Sequence, residues 1–354
     1  MPGMIKRIVF ILLLQVFLLG TKSYAQDPHF SQFYAAPTFM SPSLAGSTGG
    51  VRLVSNYRNQ WPGIKQAYHS YAVSADMYVN KYRSGFGAIM VTDQAGSADY
   101  NTTYLGLQYS YRIQLGENLQ FIPGLQFTLG QMSLNRNKLI FPDGLVNGGQ
   151  SSGDAYLAAT KANYLDFNTS LFLYSRKYWI GTTVEHMMQP SYSFLDDQAR
   201  TPMKMVVFGG MNVWRERVSR IEEPRRAAFC YRYERQHNFN QLDFGAYWYS
   251  RSLEFGAWWR GIPVFKNENL GTHYLDNDAI VLSAALVTGS FRFGYSYDIQ
   301  TSDLAGFGGG AHEISIIIEF GDIFGCGAKY LDCFTKRAGL HFNKEQPRNL
   351  KIYY

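Results

Sequence analysis

The sequence predicts an all-β chain, a transmembrane antiparallel β-barrel of about fourteen strands in an outer membrane. Three observations carry this reading. Short runs alternate apolar and polar residues with period two, the connections between them sort by length, and an export signal precedes them all. The composition agrees: 26 Tyr, 25 Phe and 34 Gly in 354 residues mark a chain rich in strand formers and turns.

Taken in order, residues 1–25 read as a secretory signal peptide. Lys6 and Arg7 form its positive start, Ile8 to Leu19 its apolar stretch, and Ser23 and Ala25 the small residues of a cleavage site, which makes Gln26 the first mature residue. The apolar stretch is shorter than the ~20 residues of a membrane-spanning helix. No Cys follows it, so a lipoprotein signal is not expected. Removing Lys6, Arg7 and Lys22 lowers the formal charge of +6 by three. No Lys/Arg run remains to suggest a nucleic-acid partner.

Residues 26–50 begin QDPHFSQFYAAPTFMSPSLAG, a stretch with neither a helical stripe nor strand alternation. If the barrel starts near Val51, this segment enters the lumen as a plug or lies across its mouth. Phe30, Phe33, Tyr34 and Phe39 would then pack on inner walls, and Asp27, His29, Ser31 and Gln32 would bond to lumen charges. A loosely ordered leader is the alternative.

The barrel is expected over 51–320. Its runs lie near 51–61, 67–79, 86–94, 101–115, 118–133, 163–174, 177–187, 203–214, 226–236, 239–250, 252–260, 278–288, 290–299 and 310–320. The clearest sets Phe291, Phe293, Tyr295, Tyr297 and Ile299 against Arg292, Gly294, Ser296 and Asp298. The runs at 86–94, 203–214 and 278–288 are apolar on both faces in places. Links after even-numbered runs are short, apart from 215–226. Those after odd-numbered runs include the long stretches 135–162, 189–202, 261–277 and 300–310. Short periplasmic turns and long outer loops produce this segregation in outer-membrane barrels, and an even strand count leaves both termini in the periplasm.

The polar face carries Arg112, Asp166, Asp243, Glu254, Arg260, Arg292, Asp298, Glu313 and Glu319. Inside a sandwich core each charge would cost several kcal/mol unless paired, whereas a barrel of about fourteen strands has room for water or a plug. The apolar face ends in residues such as Trp248, Trp259, Tyr295 and Tyr297, suited to aromatic girdles at the lipid interfaces. A lipocalin-like soluble barrel would put the apolar residues inside instead.

Residues 321–354 read as a short periplasmic tail, basic in its second half, that either docks on a partner or is a disordered end. Cys326 and Cys333 form a disulfide or stay reduced; their spacing fits neither a redox motif nor a zinc site. No catalytic constellation stands out, and neither a cofactor nor a metal is expected. His186 falls on the apolar-facing register of its run, as an interfacial residue. His312 and Glu313 point to opposite faces and cannot act as a pair. Arg58 is expected to bridge a lumen carboxylate or stack on Trp61.

The segment QDPHFSQFYAAPTFMSPSLAG followed by YRNQW (57–61), with FGYSYDIQTSDL (293–304) and GGAHEISI (309–316) at the far end, resembles the signatures of the PorP/SprF family. Ser41 departs from the Asn more usual there. The resemblance spans the mature chain and implies an outer-membrane protein of the type IX secretion system of Bacteroidetes. It further implies a non-enzymatic role in exporting or attaching surface proteins such as the adhesins of gliding, whose cargo carries C-terminal sorting domains. The implied partners are outer-membrane lipid, that cargo, other secretion components and a periplasmic peptidoglycan-associated protein. A passive porin or uptake channel is the alternative.

Overall fold

The structure is a computed structural model that describes residues 28–64, 68–96, 100–116, 118–135, 160–175, 177–191, 194, 200–216, 225–237, 239–250, 252–261, 279–301 and 308–320. Its strands are β1 (Val51–Gln60), β2 (Tyr68–Val79), β3 (Ser84–Ala95), β4 (Tyr100–Tyr111), β5 (Ile113–Gly116), β6 (Leu119–Ser133), β7 (Lys161–Ser175) and β8 (Tyr178–Glu185). They continue with β9 (Lys204–Arg215), β10 (Arg226–Gln236), β11 (Phe239–Tyr249), β12 (Leu253–Arg260), β13 (Ala279–Thr288), β14 (Phe291–Gln300) and β15 (Ala311–Phe320).

Each strand pairs antiparallel with its sequence neighbours, and the first pairs with the last, from Val51↔Phe320 to Gln60↔Ala311. The sheet therefore closes on itself and leaves no unpaired edge. Strands β4 and β5 both pair with β6, in one register from Asn101↔Ser133 to Gln114↔Gln120 with a shift before Gly116↔Leu119, and are separated from each other only at Arg112, whose backbone amide donates to the Arg83 carbonyl at 2.8 Å. They form a single stave, so the barrel has fourteen. The runs that were apolar on both faces, 86–94, 203–214 and 278–288, are staves like the others.

Side-chain alternation divides the wall into two faces. Leu107, Phe127, Leu171, Ile180, Phe255 and Phe293 stand on the outside and are exposed, as are many apolar residues at the same parity. Between them, Gln108, Gln126, Asp166, Ser170, Asp243 and Glu254 point inward and are buried. An outward apolar band around a closed barrel is the arrangement that hydrocarbon requires, because closure lets strand backbone groups pair with neighbouring strands instead of facing lipid. One local break has a visible cause: Val213 and Trp214 are consecutive yet both exposed, and the β9–β10 register shifts opposite Ala227 and Ala228.

The two rims differ. Links 80–83, 117–118, 176–177, 216–225, 250–252 and 289–290 close one rim, the short-turn end. Links 61–67, 96–99, 134–160, 186–203, 237–238, 261–278 and 301–310 close the other, the long-connection end.

Candidate functional site

The lumen is occupied by the chain's own amino-terminal segment. Residues 28–50 contain a 3-10 turn at Phe33–Ala35, one helical turn at Pro37–Met40 and a second 3-10 turn at Pro42–Leu44. Pro37 and Pro42 each start a turn, where the missing N–H costs nothing. Nearly every residue from Phe30 to Gly50 is buried. Partners lie on opposite walls: Thr38 bonds Ser74 on β2, Ser43 bonds Ser170 on β7, and the Met40 carbonyl accepts from Thr183 on β8. The segment starts at the long-connection end and descends to Val51 at the short-turn end. It thus runs the height of the bore rather than remaining at the rim where β1 begins.

Two ionic clamps hold it. At the long-connection end, Arg58 reaches Asp298 at 2.8 Å and Glu313 at 3.6 Å, and Arg260 reaches Asp298 at 3.1 Å. Ser31 lies among them. Its hydroxyl donates to Asp298 at 2.7 Å and accepts from Arg58 and Arg260, each at 2.5 Å. Its backbone amide and that of Gln32 both donate to the Glu313 carboxylate, at 2.6 and 3.1 Å. At the short-turn end, Arg52 and Asp76 form two bonds of 2.9 Å. Asp76 also accepts from the Gly46 amide at 2.7 Å, while Arg52 donates to the Leu44 carbonyl and Arg112 to that of Gly46. Buried charges are tolerable here because each is paired and further satisfied by plug backbone.

Between the clamps the contact is apolar. Phe33 meets Trp258 edge-on at 5.0 Å, and Tyr34 meets Tyr247 at 5.6 Å and Trp179 at 6.4 Å. Phe172, Phe208 and Val206 complete this core with Met40 and Leu44. The Tyr34 hydroxyl accepts from the Trp179 indole at 3.2 Å.

Glycines on the inner wall make room for the plug backbone. A Cβ at Gly124 would collide with the Pro42 carbonyl carbon and the Ser43 amide, and one at Gly85 with the Ala45 carbonyl. Gly46 itself has φ +70° and lies against Gly85 and the Met77 carbonyl, a conformation and a clearance that favour glycine.

The remaining charges fall into further groups. Glu254 takes the Arg292 guanidinium at 2.6 Å, and Glu319 lies opposite Arg52 in the β1–β15 register. Asp243 accepts from Gln241 and from the Gly261 amide, and stands 3.7 Å from Arg232. Arg232 also pairs with Glu234, which His29 of the plug approaches to 3.3 Å. Arg232, Glu234 and Arg52 were not among the charges expected from the sequence. They sit at inward parity in runs whose outward neighbours were less plainly apolar.

One expectation changes. His186 does not face lipid: β8 ends at Glu185, His186 takes φ +58°, and its imidazole turns to Asp166 at 2.6 Å. The inner wall also carries apolar and aromatic side chains that pack the plug, Phe172, Phe208, Tyr247 and Trp258 among them. Arg58 bridges carboxylates, and Trp61 instead packs on Tyr68. Ala25, Gln26, Asp27, Cys326 and Cys333 lie outside the described residues. Among the described residues, Cys230 is a free, buried thiol and no group of His, Cys, Asp and Glu has the arrangement of a metal site.

Two cavities flank the plug. One, of about 70 Å³, opens toward the long-connection end between Phe39, Tyr104, Asp166 and Lys204. The other, of about 90 Å³, opens at the short-turn end between Tyr34, Arg226, Tyr249 and Arg292. The lumen is thus a filled bore with a shallow vestibule at each end.

A family model described as Type IX secretion system membrane protein PorP/SprF matches residues 22–318. Among solved structures, the chain is similar to the Pseudomonas putida toluene transporter TodX, with 10% identity and a TM-score of 0.46 over 84% of this chain and 98% of that one. It is also similar to a mutant Rh. blastica porin, with 6% identity and a TM-score of 0.32 over 77% of this chain and 99% of that one. CdiB from Acinetobacter baumannii gives 10% identity and a TM-score of 0.39 over 76% of this chain and 60% of that one. Comparison with curated proteins gave no match.

Proposed function

The chain belongs to the PorP/SprF family of type IX secretion system membrane proteins, and from that premise we propose that it is a plugged, non-enzymatic outer-membrane barrel that supports export or surface attachment of cargo proteins such as adhesins. The observation that carries this reading is the occupied lumen. A bore filled along its height by residues 28–50, clamped by ion pairs at both ends, suits a scaffold better than a diffusion pore. In this reading the short-turn end faces the periplasm and the long connections face outward, where they meet cargo bearing C-terminal sorting domains. Residues 1–25 act as a cleaved signal peptide, with cleavage between Ala25 and Gln26. Residues 321–354 then begin on the periplasmic side, where other secretion components and a peptidoglycan-associated protein are the partners in reach.

Deletion of the gene tests the proposal. Specific surface adhesins should be lost from the cell surface while permeability to small solutes hardly changes; normal adhesin display would reject the role. Purified protein in planar bilayers separates the scaffold from a passive porin or uptake channel. Silence supports the scaffold, and stable stepwise conductance supports the channel.

A further inference from the structure

We propose that the cavity at the short-turn end is a binding site for an organic anion, a carboxylate carried on an aromatic or aliphatic body. The cavity holds about 90 Å³, several times the ~10–15 Å³ that one water requires. Its mouth lies among the ends of β7, β9, β11, β13 and β15 and the starts of β8, β10, β12 and β14, and its inner end is Tyr34 of the plug.

Two guanidinium groups present unused donors there. Arg226 stacks on the Tyr249 ring at 4.2 Å and has no carboxylate within ion-pair distance among the described residues. Arg292 spends its Nε on Glu254 at 2.6 Å, which leaves its buried Nη1 without a hydrogen-bond partner. A buried donor left unpaired is costly, and an incoming carboxylate oxygen removes that cost. Stacking fixes the Arg226 plane, so little side-chain freedom is lost on binding.

Two carboxylates also line the cavity. Glu254 is already engaged by Arg292, and Glu319 stands across the strand pair from Arg52. Neither is an ion-pair partner of Arg226. The rest of the lining includes Trp179, Val287 and Ile317, so the site pairs an oxyanion corner with an apolar body. That combination favours an organic acid over inorganic phosphate, whose four oxygens would meet the apolar side unsolvated. The assignment does not depend on the secretion role.

The test is binding of benzoate to the purified full-length protein in detergent, followed by calorimetry, with benzyl alcohol and inorganic phosphate as comparison probes. Benzoate should saturate a single site while benzyl alcohol and phosphate bind at least roughly tenfold more weakly. Arg226→Gln should weaken benzoate by about the same factor. It strands no carboxylate, so the barrel should still run as a folded, heat-modifiable band. Val287→Trp, which fills the cavity and leaves both arginines in place, should also abolish binding. Lys81→Gln, which removes an exposed cation from the same rim, should leave it unchanged. The proposal is overturned if benzoate does not saturate, if phosphate binds as well as benzoate, or if Arg226→Gln binds like the unsubstituted protein.

Discussion

At the scale of single residues, Arg58 shows how the lumen is tied together. Its guanidinium joins β1 to β14 through Asp298, to β15 through Glu313, and to the plug through Ser31. None of these partners is near it in sequence; only closure of the barrel brings residues 58, 298 and 313 together. That is why the alternation marked Asp298 and Glu313 as inward charges and set Arg58 toward a lumen carboxylate without showing which carboxylate it meets. Truncation at this position strands two buried carboxylates beside one remaining arginine. Arg58→Ala should therefore cost about 3–5 kcal/mol. The loss should be visible as a lower temperature for conversion of the folded to the unfolded gel band. A conversion temperature equal to that of the unsubstituted protein would mean that the clamp contributes nothing.

At the scale of elements, the staves and the plug were legible to different degrees. The staves declared themselves wherever lipid-facing and lumen-facing residues differ in polarity, as in Phe291–Gln300. They were weak where the inner face is also apolar. At 86–94, 203–214 and 278–288 the inner positions Ile89, Val91, Val206, Phe208 and Val281 are apolar and buried, and the contrast that marks a strand fades. The plug was legible by its misfit: an aromatic, proline-bearing stretch suited to neither periodicity. Its footprint on the wall was written in inward glycines, Gly85 and Gly124 above all, a signal not read from the sequence. Gly124→Ala should unseat the plug, because the new Cβ overlaps the Pro42–Ser43 backbone. Gly116→Ala, with open space around its Cβ position, should not. Limited proteolysis of the folded barrel distinguishes the two: cleavage within residues 28–50 should rise in the first variant and stay at the unsubstituted level in the second.

At the scale of the whole molecule, the account joins an apolar outer band, a closed sheet and a bore filled by the chain itself. The band places the barrel in lipid, the family places it in type IX secretion, and the plug is what the proposed scaffold role rests on. The proposed role follows from that filling, since an empty bore of fourteen staves has room for water. The most direct test is a cross-link between plug and wall. Ser43 and Ser170, 127 positions apart in sequence, have hydroxyl oxygens 2.5 Å apart. Cysteines at both positions, with Cys230, Cys326 and Cys333 replaced by alanine, should form a disulfide under mild oxidant in the folded barrel. The product should migrate faster than its reduced form on a denaturing gel. Free thiols at both sites in a barrel that is folded by heat-modifiability would contradict the account.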